Sequence, residues 1–320
     1  MILTVTLNAA IDRTVAVPNF RQGYRHRALE SNSVPGGKGI NVARALSLLG
    51  KPVVATGLAG GATGERLMGQ LAEESILTDF TEIAAESRTN LAVIDPTSGE
   101  QTEINERGPE VTAEEIETFC TRLEYLAGGA RICVVAGSLP PGAEPELYER
   151  IVASLRARDV LVVLDSEGEP LRCGTRARPS VVAPNVQEAE ELAGHEFEDD
   201  PIDLANGLAE LVDLGAEQAI VTRPQGCVAT VGRNAERRFL EVSAETLDPV
   251  ASVGSGDAFI AGYVAALYDK ASEEESLRFA VACGAESTQH FGAGSVDPDR
   301  VKKLLAGVEV RELDVTATVA

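Results

Sequence analysis

Ile132-Cys-Val-Val-Ala136, an amphipathic helical pattern over residues 144–156, and Val160-Leu-Val-Val-Leu-Asp165 follow one another with only short Gly- and Pro-containing connections. Two apolar, β-branched runs too short for helices, with a helix-length segment between them, make a βαβ unit whose strands run parallel. The same alternation extends outward. A helical pattern at residues 113–126 precedes it, and Val181 and Val182, a helix at residues 203–214 and a strand at residues 219–222 follow. Repeated units of this kind require a mainly parallel sheet with helices on both faces, a three-layer α/β/α architecture. Residues 228–231 and 238–242 read as an antiparallel edge, residues 273–289 and 299–305 as helices, and the acidic tail to residue 320 carries no strong signal.

The amino-terminal half adds a second, smaller sheet. Residues 2–7 form a first strand that ends at Asn8 and, after a short loop, Asp12, where polar side chains beyond a strand's carboxyl end suit a ligand site. Their plainer reading is turn chemistry. Residues 13–17 and 25–34 read as short strands, and residues 89–95 and 101–105 as a hairpin across Pro96-Thr-Ser-Gly99. With the two short strands, this hairpin makes a small sheet separate from the main body. Residues 52–58 read as a strand, and residues 60–64 lead into a helix at 65–75. No repeat or linker divides the chain, so residues 1–320 read as a single domain.

With 50 acidic against 28 basic residues the formal charge is −22, which argues against a general basic surface for nucleic acid or an anionic membrane. Only five of the basic residues are Lys. Acidic excess with scarce lysine suits a protein kept soluble in concentrated salt. Five scattered cysteines and three scattered histidines favour buried, reduced thiols over disulfides or a zinc site. The absence of a long apolar run or a basic signal-peptide flank places the chain in the cytoplasm.

Two glycine-rich loops carry the chemistry. Val253-Gly-Ser-Gly-Asp-Ala-Phe259 precedes an amphipathic run at residues 260–270. Gly254, Ser255 and Gly256 at a helix start aim free backbone N–H groups and the positive dipole end at one point, which favours an anion. Asp257, at or beside the N-cap, is either a base for a hydroxyl proton or merely a cap contributing about 1 kcal/mol. In the second loop, Pro35-Gly-Gly-Lys-Gly-Ile-Asn41, Lys38 and Asn41 project at the start of a helix ending at Gly50. Gly39 stands where a Walker A loop needs Ser or Thr, and there is no strict dinucleotide fingerprint.

Gly36-Gly-Lys-Gly-Ile-Asn-Val-Ala43 and Val253-Gly-Ser-Gly-Asp-Ala-Phe259 resemble the two signatures of the ribokinase-like PfkB carbohydrate kinases. Segments 6–12, 59–65, 87–90, 104–108, 137–142, 165–166 and 184–188 are similar to the phosphosugar branch: 1-phosphofructokinase, the minor 6-phosphofructokinase and tagatose-6-phosphate kinase. This resemblance implies ATP-dependent phosphorylation of a ketohexose phosphate, with Asp257 as base and Gly254, Ser255 and Gly256 as the anion hole. Asp12, Gly37, Asn41, Asn90 and Ser138 would hold the sugar, and Lys38, Arg88 and Arg107 its phosphate. Asn185 and Glu188 match a motif that places Mg²⁺ through water. Thr222, Arg223 and Gly226 would follow the nucleotide phosphates, together with Gly254 and Gly256. The small sheet of segments 13–34 and 88–107 would be a β-sheet lid inserted in the α/β core, K⁺ is implied as an activator, and pairing of two lids as a homodimer.

The Lys38-containing loop favours fructose 1-phosphate, whereas segments 59–65 and 98–101 are similar to enzymes acting on fructose 6-phosphate. Ala183 replaces a usual Lys, and residues 222–226 are shorter than the usual loop, with Arg223 a replacement charge. These departures motivate a competing reading, a non-catalytic sugar-phosphate sensor; a kinase of nucleosides or unphosphorylated sugars is a third.

Overall fold

The computed structural model describes residues 1–315 apart from Asp199, Thr246 and Ser252. Ser252, just before the Val253–Phe259 loop, and residues 316–320 of the acidic tail therefore lie outside the described residues. The buried strand β1 (Ile2–Thr6) lies third from one edge of a ten-stranded sheet. On one side it pairs in parallel with β4 (Val53–Gly60), which pairs with β5 (Leu77–Ile83). On the other it pairs with β8 (Ile132–Ala136), followed by β9 (Leu161–Asp165), β10 (Val181–Val182) and β11 (Gln218–Arg223), all parallel. Three antiparallel strands finish the sheet: β12 (Gly226–Val231), β13 (Arg238–Ser243) and β14 (Glu309–Leu313). The antiparallel extension agrees with expectation, but the edge is β14, within the tail that carried no signal.

Strand alternation divides the core between the two faces. Ile2, Ile132 and Val134 pack into one apolar cluster; Leu3, Val5, Cys133 and Val135 pack into the other. The first face is covered by α1 (Lys38–Leu48), α8 (Ser255–Tyr268) and α9 (Glu273–Ser287), and the second by α3 (Ala113–Ala127), α4 (Glu146–Arg156) and α7 (Pro201–Asp213). Reciprocal capping boxes start α3 at Thr112 with Glu115 and α9 at Ser272 with Glu275. Helix α8 is not amphipathic as its pattern suggested: every residue from Asp257 to Ala266 is buried. It therefore lies inside the molecule, between α1 and α9. Helix α2 (Gly61–Glu73) starts within its glycine run rather than after it.

The small sheet has the order β3-β2-β6-β7, from β2 (Ala10–Ala16), β3 (Glu30–Gly36), β6 (Arg88–Ile94) and β7 (Gln101–Ile104). Asp12 lies inside β2, opposite Asn90. The chain leaves β1 at Asn8, crosses the lid as a β2–β3 antiparallel pair, and enters α1 through Gly37. The small sheet and the start of α1 are thus covalently adjacent. Four cysteines are buried, Cys120 is partly buried, and all five are free thiols.

Candidate active site

A cleft of about 930 Å³ runs between the lid and the carboxyl ends of β1, β8, β9 and β11, the position where parallel sheets hold ligands. Both glycine-rich loops open onto it.

Gly254 is the N-cap of α8, with φ +82, so Asp257 is the third residue of the helix and not its cap. The first helical hydrogen bond runs from the Ala258 N–H to the Gly254 carbonyl. The amides of Ser255, Gly256 and Asp257 precede that bond and have no helix partner. A side chain at residue 254 would place Cβ 2.4 Å from that of Ala293, and the φ is left-handed as well. Only glycine meets both demands without strain. Beside these amides Asp257 is 6% exposed, and it accepts a 2.8 Å hydrogen bond from Asn41 Nδ2. Burial, and then the Asp165 charge, push its carboxyl up to about 7, while the Asn41 bond acts in the lowering direction. A carboxylate held there exchanges protons near neutral pH.

Lys38 begins α1 and reaches Asp165 Oδ1 at 2.9 Å and Glu188 Oε1 at 3.1 Å. Burial alone would lower its ammonium, but these two carboxylates outweigh it and hold the group above its ordinary value. Glu188 is itself raised, by burial first, despite Lys38. It is the third residue of α6 (Val186–Ala193), where it donates its N–H to the Asn185 side chain and accepts the Asn185 backbone N–H in a capping box. Lys38 is therefore not a free cation waiting for a phosphate; it is held between two carboxylates.

At the lid, Asp12 Oδ1 accepts from Asn90 Nδ2 at 2.8 Å, and burial raises its carboxyl in spite of Asn90, Arg88 and Arg44. A Cβ on Gly36 would fall 1.9 Å from Asp12 Oδ2, so the glycine there lets the lid strand close on the carboxylate. Arg88 donates Nε to the Asn8 carbonyl and Nη1 to the Glu106 carbonyl. Asn8 donates Nδ2 to Ser138 Oγ and to the Arg107 carbonyl. Asp12, Gly37, Lys38, Asn41, Arg88, Asn90 and Ser138 all line the cleft. Arg107 does not: its side chain is exposed, and only its carbonyl joins the network.

In the other half, Thr222 bridges in parallel to Asn185, and both line the cleft with Arg223 and Gly226. The Arg223 guanidinium is paired with Glu241, so the expected replacement charge is already neutralised in the free protein. Ala244, Leu247, Val281 and Ala285 give this half an apolar wall.

This site belongs to a matched whole chain. The model of the pfkB family carbohydrate kinases covers residues 3–300. The chain is a PfkB family carbohydrate kinase. This kinase is 32% identical to the 1-phosphofructokinase of Borreliella burgdorferi, over 98% of this chain and 99% of that one. It is 30% identical to a tagatose-6-phosphate kinase of Staphylococcus epidermidis, over 98% and 100%. The solved structure of phosphofructokinase-2 from Escherichia coli in complex with potassium superposes with a TM-score of 0.88 at 30% identity, covering 95% and 98%. The fold is ribokinase-like, as expected, and the protein is a phosphotransferase.

Sequence reasoning overlooked Glu103 and Asn105, which β7 and the residue after it bring to the cleft, and the partly buried Arg44. An arginine in the apolar helix face around Ala43, Ala45 and Leu46 was the available signal for Arg44.

Proposed function

We propose that this kinase transfers the terminal phosphoryl group of ATP to a primary hydroxyl of a ketohexose phosphate, with fructose 1-phosphate ahead of fructose 6-phosphate and tagatose 6-phosphate. The observation that carries the reading is one cleft holding the buried Asp257 beside free helix-start amides, and Arg88 under the lid. Asp257 takes the acceptor's hydroxyl proton onto Oδ1 or Oδ2, and the amides of Ser255, Gly256 and Asp257 hold charge on the transferring phosphoryl oxygens. Asp12, Asn90, Asn41 and Ser138 orient the sugar, and Arg88 takes its phosphate, for which the planar guanidinium is suited. The preference for fructose 1-phosphate rests on the Lys38-containing loop and on the 32% identical relative.

Asn185, Thr222, Arg223 and Gly226 would face the nucleotide. The residues fit a divalent cation held through water: Asp165 and Glu188 are two hard, buried carboxylates that already share Lys38, and Mg²⁺ commonly keeps several waters beside such groups and phosphate. When bound, the ion neutralises charge on the nucleotide phosphates. The lid excludes water from the transfer. Exposed Tyr24, Leu29 and Ile104, on or beside its strands, support pairing of two lids in a homodimer. Among the described residues no helix is long and apolar enough to cross a membrane.

Asp257→Asn tests the assignment: turnover drops about 10²- to 10⁴-fold while fructose 1-phosphate still binds. A sensor would lose neither; undiminished turnover refutes Asp257 as the base.

A further inference from the structure

The side chain of Arg44 is 11% exposed and uses all five of its N–H groups. Nε and Nη2 donate to the Glu74 carboxylate at 2.6 and 3.1 Å, Nη2 also to the Pro35 carbonyl at 2.8 Å, and Nη1 to the Ala293 carbonyl at 3.1 Å and to Asn41 Oδ1 at 3.2 Å. These acceptors come from α2, the end of lid strand β3, the segment packed on Gly254, and α1. A guanidinium can only donate. The Asn41 atom that meets it must therefore be the oxygen, which leaves Nδ2 as the atom facing Asp257.

We propose that Arg44 is a positioning residue that fixes the orientation of the Asn41 amide, and through it keeps Asp257 ready to accept a proton. The inference rests on the reading of Asp257 as the base. Without Arg44, the Asn41 amide can turn and present its oxygen to Asp257. An acceptor there favours the protonated carboxyl. The other charged groups facing Asp257 are Asp165 of β9, Lys38 of α1 and Asp12 of the lid, all of which stay in place. Arg44 also links the lid to the segment behind the anion hole, so lid and base are held by one side chain.

The test is the pH dependence of kcat with fructose 1-phosphate and ATP for the wild type, Arg44→Lys and Arg44→Gln, each also in an Asn41→Ala background. Lysine keeps the charge but cannot reach all these partners. In Arg44→Lys kcat is expected to fall about tenfold, the scale of one lost charge-assisted hydrogen bond, with a smaller change in KM. The acid limb moves to higher pH in both single variants, and neither substitution moves it further once Asn41 is alanine. A folded Arg44→Lys whose melting point drops but whose acid limb coincides with the wild type would overturn the proposal, as would an equal shift in the Asn41→Ala background. If neither Arg44 variant folds, Glu74→Gln carries the test: a smaller upward shift supports the proposal and an unmoved limb overturns it. Full turnover in Asp257→Asn would instead remove the base reading itself.

Discussion

Asp257→Asn should make this kinase more stable at alkaline pH while disabling it. In the folded chain the carboxyl lies at about 7, against 3.8 for an ordinary Asp, because burial and the Asp165 charge disfavour its ionised form. Between those two pH values the folded state holds a proton that the unfolded chain has released. Stability from this group therefore falls as pH rises through the window, and the deficit is complete above about pH 7. At 1.36 kcal/mol per pKa unit the full deficit is roughly 4 kcal/mol. Asparagine does not titrate, and its carbonyl still accepts the Asn41 hydrogen bond. Urea unfolding of both proteins from pH 4 to 9 reads the difference, and subtraction cancels every other titrating group. The variant's advantage should be near zero at pH 4, rise through pH 5 and 6, and level off at up to about 4 kcal/mol by pH 8. An advantage that does not vary with pH, or an asparagine variant less stable at pH 8, would refute the assignment of a strained, buried base.

Three further outcomes follow from the same geometry. Arg88→Ala should raise the KM for the phosphosugar about 10- to 100-fold with kcat little changed, since one charged hydrogen-bond donor is lost; an unchanged KM would favour an unphosphorylated sugar or nucleoside as substrate. Gly254→Ala, which forces a methyl group against Ala293 at positive φ, should cost about 1–3 kcal/mol in urea unfolding and lower kcat as the amides shift; wild-type kcat would exclude those amides from the reaction. With a formal charge of −22, the melting temperature should rise as KCl is added towards molar concentration, and a maximum in dilute buffer would exclude adaptation to high salt.

The parallel core was legible because its strands are unbroken apolar runs buried on both faces, such as residues 132–136 and 162–164. The missed elements lack that signature. Strand β5 lies at the other edge of the sheet and mixes Thr, Asp and Glu with its apolar residues, and β14 is three-fifths charged, since an edge strand needs pairing on one side only. Helix α5 (Gly168–Arg176) opens with Gly168-Glu-Pro170, a turn signal that here starts a helix. In the site, Asp257, Lys38 and Asn41 could be found because each sits just after a glycine loop at a helix start. The Lys38 contacts could not, because Asp165 and Glu188 are 127 and 150 residues away. The same holds for Arg44, whose acceptors Pro35, Glu74 and Ala293 converge only in the folded chain.

The most direct measurement is ADP release by the purified kinase with ATP and Mg²⁺, in the presence of fructose 1-phosphate, fructose 6-phosphate or tagatose 6-phosphate in turn. Saturable, sugar-phosphate-dependent release with the highest kcat/KM on fructose 1-phosphate is the expected result. No release above the sugar-free rate with any of the three would contradict the account.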